Sequence, residues 1–484
     1  MWAELSREVA LPLWAIGGLV VFALLAVLDR LLIPSLRWAL HRQANRAIDR
    51  LNTRLKLHIQ PFKLTRRKLL IDRLLYDPEV LAAVDARARE TGTPREIVMQ
   101  TAGRYAREIV PSFSTYAYFK VGIRLARRVS QALYRVRLGA IDDETLGKVP
   151  PDASVVFVIN HRSNMDYVLV TYVASTASAL SYAVGEWAQV WGLRSLIRAM
   201  GAYFIRRNSR DPLYRRVLAR YVDMATRAGV VQAVFPEGGL SRDGALRPLK
   251  LGLLSYMVSG FDPQGARDIV FIPVGLNYDR VLEDRMLTSA ADMPPGETPR
   301  FGFNATVFAG FMFKNLWLRM TGRWNRFGYA CVNFGQPISL KSLLYPRALD
   351  FRTMPSEERH AEIEAVGERL MAAVARAVPA LPVPLVATSI LDAGNQPLTK
   401  FELKGRVYDL ISALERNGVY VHIPRKDRDY AIDVGLRMLV RRRLILERDE
   451  GFSANPQELV LLRYYAKSIA HLRDSTPLPR LAAA

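Results

Sequence analysis

The chain has 484 residues, half of them hydrophobic and 24% charged, which is enough apolar material for a sizeable core and excludes a disordered or low-complexity protein. One cysteine, Cys331, excludes an intrachain disulfide framework and a cysteine-rich zinc site. A net charge of +22, from 68 Lys+Arg against 46 Asp+Glu, implies an anionic partner: nucleic acid, anionic lipid headgroups or phosphorylated substrates.

Residues 9–28 (VALPLWAIGGLVVFALLAVL) are uncharged and overwhelmingly apolar. At about 1.5 Å of rise per residue such a helix spans about 30 Å, the thickness of a bilayer core. Glu4 and Glu8 before the run do not suit a secretory leader, which wants a basic flank, so the segment reads as an uncleaved membrane anchor. Arg30, Arg37, Arg42, Arg46 and Arg50 follow, opposed by Asp29 and Asp49. That positive bias places the bulk of the chain on the cytoplasmic side of the cell (inner) membrane. Residues 31–40, interrupted by Pro34, are too short to cross and read as interfacial, so 1–50 form an anchor with a basic interfacial segment.

Residues 51–140 read as a helical, membrane-proximal region. Across 116–138, Tyr118, Val121, Leu125, Val129, Leu133 and Val136 recur at spacings of three and four, with Lys120, Arg124, Arg127, Arg128, Arg135 and Arg137 mostly between them. The pattern predicts one basic amphipathic helix, suited either to anionic membrane lipid or to a bundle with solvated arginines.

From Ser154 the period changes. Continuous apolar runs at 154–160, 230–235 and 269–276 predict strands buried on both faces, with shorter candidates at 201–205 and 328–335. Helical patterns at 166–177, 213–228 and 249–259 alternate with them, and 304–320 is a further apolar helix rich in Phe and Trp. Alternating strand and helix predicts an α/β domain, 141–345, with a largely parallel sheet. A Pro-rich joint near 382–386 leads into a mainly helical region, 346–484, with helices at 401–416 and 431–443 and a hairpin at 444–456. Helices followed by a basic hairpin also fit a winged helix, so a membrane-tethered nucleic-acid binder stands as a reading from another class.

Four segments carry chemistry. In Asn160-His161-Arg162-Ser163-Asn164-Met165-Asp166, His161 and Asp166 stand about 140° apart on a regular helix, so they meet only if His161 lies in a strand-to-helix turn and Asp166 in the first helical turn. There the carboxylate orients the imidazole and leaves its other nitrogen to take a proton from a hydroxyl. H-x-x-x-x-D alone is a common spacing, equally found in a satisfied turn histidine. The second segment, 201–207, ends a strand in Arg206 and Arg207, a guanidinium pair suited to phosphate. In the third, 235–242, a buried strand runs into Glu237-Gly238-Gly239, then Ser241 and Arg242. The fourth centres Pro273 in an apolar strand, which marks an edge, a bulge or a ligand wall. Ligands bind beyond the carboxyl ends of strands in open α/β sheets, so such motifs can converge.

Taken in this order, the four segments resemble the sequence blocks of the glycerolipid acyltransferases. The tokens HRSNMDY, GAYFIRR, EGGLSR and IPVGLNYDRV, with LLRYYAKSIAHL near the C-terminus, are similar to the glycerol-3-phosphate 1-O-acyltransferase branch. The chain departs from that pattern at Asn164 and Leu240. The resemblance implies a glycerolipid-acyltransferase-like domain in which His161 is the general base and Asp166 its orienting partner. It implies that Arg206, Arg207, Glu237, Gly238, Ser241 and Arg242 bind glycerol 3-phosphate, and that Pro273 shapes the acyl-donor side. The expected reaction moves a fatty acyl group from a thioester, acyl-CoA or acyl-carrier protein, to the sn-1 hydroxyl of glycerol 3-phosphate, giving lysophosphatidate. Dihydroxyacetone phosphate and lysophosphatidate are the alternative acceptors. No cofactor and no nucleic acid are expected. The six histidines show no metal-ligand spacing, so no metal is expected either.

Overall fold

A computed structural model describes residues 60–139, 149–173, 179–185, 193–206, 209–289 and 326–473. The expected anchor at 9–28, the interfacial segment at 31–40 and the apolar helix at 304–320 lie outside these residues, as does Arg207. Among the described residues no helix is long and apolar enough to cross a membrane.

After a single helical turn at Pro61–Leu64 come helices α1 (Arg67–Leu75), α2 (Pro78–Thr91) and α3 (Arg95–Ile109). Asp77 caps α2 by accepting from Glu79 N, with Pro78 in the first turn, where its missing N–H costs nothing. The expected long helix over 116–138 is corrected. A π-helical turn, Ala117–Gly122, leads into α4 (Ile123–Leu133), and Arg135–Leu138 is a strand, β1. Leu133 and Val136 keep the apolar spacing, but backbone pairing with a distant strand overrides helical propensity at the end of the run.

The sheet continues with β2 (Ser154–Ile159), helix α5 (Met165–Val173), β3 (Ser181–Val184), helix α6 (Leu193–Ala199) and β4 (Tyr203–Phe204). Helix α7 (Pro212–Arg227), β5 (Gln232–Val234), helix α8 (Gly252–Val258) and β6 (Ile269–Tyr278) follow, then β7 (Tyr329–Phe334) and β8 (Ile338–Ser339). The eight strands run in the order β1-β7-β6-β2-β5-β3-β4, with β8 also on β6. From β6 to β4 every pair is parallel, while β7 and β8 are antiparallel to β6. Strand β2 is buried on both faces, as its unbroken apolar run requires.

Alternate residues of β2 feed two cores. Val155, Phe157 and Ile159 pack with α5 and with the C-terminal helices, while Val156 and Val158 pack with α1–α3, α7 and α8. Helix α9 (Ser356–Ala377) joins the second core. The Pro-rich run at 382–386 is not a joint. It is the first half of α10 (Pro382–Asp392), whose residues Pro382–Ile390 are all buried. Prolines in a first turn lose no helical bond, and their fixed φ suits the helix. Helices α11 (Lys400–Arg416), α12 (Arg428–Arg441) and α13 (Leu459–Ala470) complete the first core, with the antiparallel hairpin of β9 (Ile445–Arg448) and β10 (Gly451–Ala454).

Pro273 lies inside the sheet, opposite Val158 of β2, rather than at an edge. On its other side β8 pairs with Val270 and Phe271, and β7 with Val274 onward. The proline therefore falls at the break between those two partners, where a missing N–H leaves no ladder bond unmade.

Candidate active site

His161 follows the carboxyl end of β2 and Asp166 lies in the first turn of α5, as the spacing of five demands. Ser163 turns the chain into the helix, its hydroxyl accepting from Met165 N at 3.1 Å. His161 Nδ1 lies 2.9 Å from Asp166 Oδ2, both side chains being fully buried. The same oxygen accepts from Arg162 N at 2.7 Å and Ser163 N at 3.0 Å, and Tyr278 Oη donates to Oδ1 at 2.6 Å. A carboxylate that accepts from three other donors accepts from the imidazole too, which assigns the ring proton to Nδ1. Nε2 then carries the lone pair, and among the described residues it has no hydrogen-bond partner.

The backbone of His161 is clamped from both sides. His161 N donates to Glu237 Oε1 at 2.8 Å, and its carbonyl accepts from Ser241 N at 3.1 Å. Glu237 Oε2 accepts from Arg247 N at 2.8 Å. Burial raises the Glu237 carboxyl above its ordinary value, against the pull of the Arg162 charge and these two backbone donors. The ring of Phe235 lies 4.4 Å from the imidazole centroid, and Tyr167 meets it edge-on at 5.3 Å. Gly238 takes a left-handed φ of +63°, which lets the loop after β5 turn beneath His161.

The expected residues therefore divide. His161, Asp166, Glu237, Gly238, Ser241 and the adjoining Arg242 come together. The Ser241 hydroxyl, expected on the acceptor, is used within its own loop: it donates to Ala245 O at 2.6 Å and accepts from Gly244 N at 3.0 Å. Both Glu237 oxygens likewise serve backbone N–H groups, so Glu237 holds His161 in place. Pro273, opposite Val158, sits three residues before the level of His161. Arg206 is elsewhere, beyond β4 and three strands from β2, where it forks onto Glu108 at 2.9 and 2.6 Å and lies over the Tyr105 and Tyr214 rings.

Three further contributors were given no role by the sequence. Tyr278 is brought to Asp166 by β6. Glu283 accepts from the Ser163 hydroxyl at 2.7 Å and Asn164 N at 3.2 Å, fixing the turn. Buried Arg162 donates to the carbonyls of Gly244 and Ser468, so the loop after β5 and helix α13 meet behind the dyad. The tokens that enclose Arg162, Tyr278 and Ser468 pointed their way, without a role for any of the three. Among the described residues no three His, Cys, Asp or Glu side chains group as metal ligands.

A turn-borne His–Asp dyad at the carboxyl end of a parallel strand, with an imidazole nitrogen unpartnered among the described residues, has the geometry that direct transfer of a group to a hydroxyl requires. A family model for acyltransferases matches residues 140–277, the stretch that contains the dyad and its clamp. A second, described as the glycerol-3-phosphate acyltransferase C-terminal region, matches residues 317–473. Residues 140–277 are thus similar to acyltransferase domains, and residues 317–473 to the C-terminal region of the glycerol-3-phosphate acyltransferases.

Curated relatives agree. The chain is 28% identical over 437 residues to the glycerol-3-phosphate acyltransferase of Aeromonas hydrophila, covering 87% of this chain and 51% of that protein. It is 28% identical over 428 residues to that of Pseudomonas fluorescens, covering 84% and 48%. The chain spans about half the length of the curated relatives it matches. A crystal structure of the 1-acyl-sn-glycerophosphate acyltransferase PlsC from Thermotoga maritima covers 52% of this chain and 78% of that one at 19% identity, with a TM-score of 0.30, too low to carry any residue across.

Proposed function

We propose that this chain transfers a fatty acyl group from a thioester to the sn-1 hydroxyl of glycerol 3-phosphate. The observation that carries the reading is the state of His161: one nitrogen tied to a carboxylate with four donors, the other buried and unpartnered among the described residues. Nε2 takes the hydroxyl proton as the oxygen attacks the thioester carbonyl. As the tetrahedral intermediate collapses, the C–S bond breaks and the proton passes to the leaving thiolate. Asp166 stabilises the imidazolium between these events and stays a carboxylate throughout. A thioester is activated, so the acyl group needs no covalent stop on the protein.

For the acceptor's phosphate, Arg242 is the proposed contact, with Arg207 as the second on sequence grounds. The support for Arg242 is its place beside Ser241, whose N–H holds the His161 carbonyl. The membrane anchor at 9–28, the inner-membrane location and the contact with anionic lipid rest on the sequence pattern.

The test is an acyl-transfer assay on the full chain, with acyl-CoA or acyl-carrier protein as donor and glycerol 3-phosphate, dihydroxyacetone phosphate or lysophosphatidate as acceptor. Lysophosphatidate formation from glycerol 3-phosphate is expected. Arg242→Ala is expected to raise the KM for that acceptor about ten- to a hundredfold, the loss of one charged hydrogen bond, with the donor KM unmoved. Preferential formation of phosphatidate from lysophosphatidate would replace this reading with the alternative acceptor.

A further inference from the structure

An open cleft of about 670 Å³ lies at the β4 edge of the sheet, lined by Arg67 of α1, Arg104 and Arg107 of α3, Arg194 and Arg198 of α6, and Arg206, with Glu108 as the one carboxylate lining it among the described residues. Six guanidiniums on a single carboxylate is a costly arrangement, and Glu108 is already taken by the fork of Arg206. Among the described residues Arg67 and Arg198 are hydrogen-bonded to backbone carbonyls alone. Arg67 donates to the carbonyls of Val110 and Arg107, and Arg198 donates to the carbonyl of Glu108 at 3.2 Å. Arg194 and Arg198 stack on Phe204, yet the Nε of each is buried with no hydrogen-bond partner among the described residues. Burial, then the charges of Arg194 and Arg67, push the Arg198 guanidinium down to about 10. Crowded, half-dehydrated like charges with unmet donors are stable company only for a polyanion.

The position of the cleft says which one. Arg206 follows the carboxyl end of β4 as His161 follows that of β2, and the two strands lie three steps apart. At about 4.8 Å per step that is about 14 Å across the sheet. From the attacking oxygen of glycerol 3-phosphate to its phosphorus is about five bonds, or about 6 Å at the extended-chain reach, so a phosphate held in the cleft leaves that hydroxyl well short of His161. From the sulfur of a phosphopantetheine thioester to its nearest phosphorus is about thirteen bonds, or about 15 Å on the same scale, which matches. Coenzyme A adds a diphosphate and a 3′-phosphate on a nucleotide, a charge suited to six arginines in a cleft of small-ligand size. The pantetheine arm of a carrier protein brings one phosphodiester.

We infer that the arginine cleft is the seat of the phosphorylated nucleotide end of a coenzyme A thioester, holding the donor so that its carbonyl reaches His161. The inference rests on the acyl-transfer reading and assigns Arg206 to the donor rather than the acceptor.

The test compares wild type with Arg194→Gln/Arg198→Gln, and separately with Arg107→Gln, whose side chain is exposed at the cleft mouth. Equilibrium binding of coenzyme A, 3′-dephospho-coenzyme A and pantetheine to the full chain is measured beside the KM for acyl-CoA, acyl-pantetheine and glycerol 3-phosphate, with thermal melting as the fold control. Wild type is expected to bind coenzyme A above dephospho-coenzyme A, and both far above pantetheine. The double variant should weaken coenzyme A and raise the acyl-CoA KM about ten- to a hundredfold, and Arg107→Gln should do so less. Neither should move the KM for acyl-pantetheine or glycerol 3-phosphate. Unchanged coenzyme A affinity in folded variants overturns the inference, as does a rise confined to the glycerol 3-phosphate KM, or a wild type that accepts only acyl-carrier protein. If wild type binds coenzyme A through these arginines but transfers from no thioester, the acyl-transfer reading falls and the nucleotide site stands.

Discussion

Arg162 Nη2 donates to the carbonyl oxygen of Ser468 at 3.1 Å, joining the residue after the candidate base to a helix 306 positions later. Its other terminal nitrogen takes the Gly244 carbonyl. The guanidinium is buried, and its hydrogen bonds to two carbonyls replace part of the water it has lost, while its Nε has no hydrogen-bond partner among the described residues. Helix α13 is thereby part of the wall of the candidate site, although it contributes no group to the dyad.

Gly244 tests that docking. Its φ is +89°, and a Cβ added there would stand 1.8 Å from the carbonyl oxygen of Tyr464. Backbone on one side and a left-handed conformation on the other leave no room to yield. Gly244→Ala is expected to cost at least about 3 kcal/mol and to expose residues 456–473 to limited proteolysis. A variant that melts with wild type and resists protease would show that the loop and α13 are not locked together.

Among the dyad residues, His161→Ala is expected to lower kcat about 10²- to 10⁴-fold, the usual worth of a general base. Asp166→Asn should be similarly severe, because an amide facing the imidazole favours the wrong tautomer. Tyr278→Phe removes one of four donors to the carboxylate, and a fall in kcat of about ten- to a hundredfold with both KM values steady is expected. Near wild-type turnover in His161→Ala would remove the central assignment.

Glu237 separates a clamp from a substrate ligand. Glutamine keeps the shape but supplies one acceptor where two backbone N–H groups require two. Glu237→Gln should lose about 1–3 kcal/mol of stability by thermal melting, and kcat should fall with it as His161 loosens. A stable variant with only the glycerol 3-phosphate KM raised would return Glu237 to the acceptor site.

The pH dependence has a readable sign. Burial, aided by the charge of Arg137, lowers the His422 imidazole from 6.5 to about 4, and burial lowers His471 to about 4 as well. Each is neutral in the fold and protonates more readily when unfolded. Their contribution is therefore complete above about pH 6.5 and is lost as pH falls from there through 4. Asp279, raised by burial from 3.8 to about 7, acts in the opposite sense, its contribution fading as pH rises across that interval. His422→Phe should keep the packing on Tyr329, which meets the imidazole edge-on at 4.8 Å. Relative to wild type, its stability should improve by about 1–2 kcal/mol on going from pH 8 to pH 5 in denaturant titrations. Parallel pH curves for the two proteins would show that His422 does not carry the acid sensitivity.

The dyad was legible in the chain because its geometry is local: five positions bridge one strand-to-helix turn, and Asp166 needs only the first turn of α5 to reach His161. The strands β2, β5 and β6 were legible for a similar reason, since a continuous apolar run of that length has no other economical burial. Where two local patterns competed, the chain alone did not decide. Residues 135–138 continue the helical spacing of α4 yet pair with β7, and Pro382 and Pro384 open a buried helix instead of a joint. The fate of each motif's polar groups was settled at longer range. Tyr278 meets Asp166 across 112 positions, Glu237 meets His161 across 76, and Arg206 finds Glu108 across 98, away from the dyad. A motif states which donors and acceptors are available, but their partners depend on strand order and on which helices cover each face of the sheet. Those follow from burying both faces at once, a condition on the whole chain that no single segment contains.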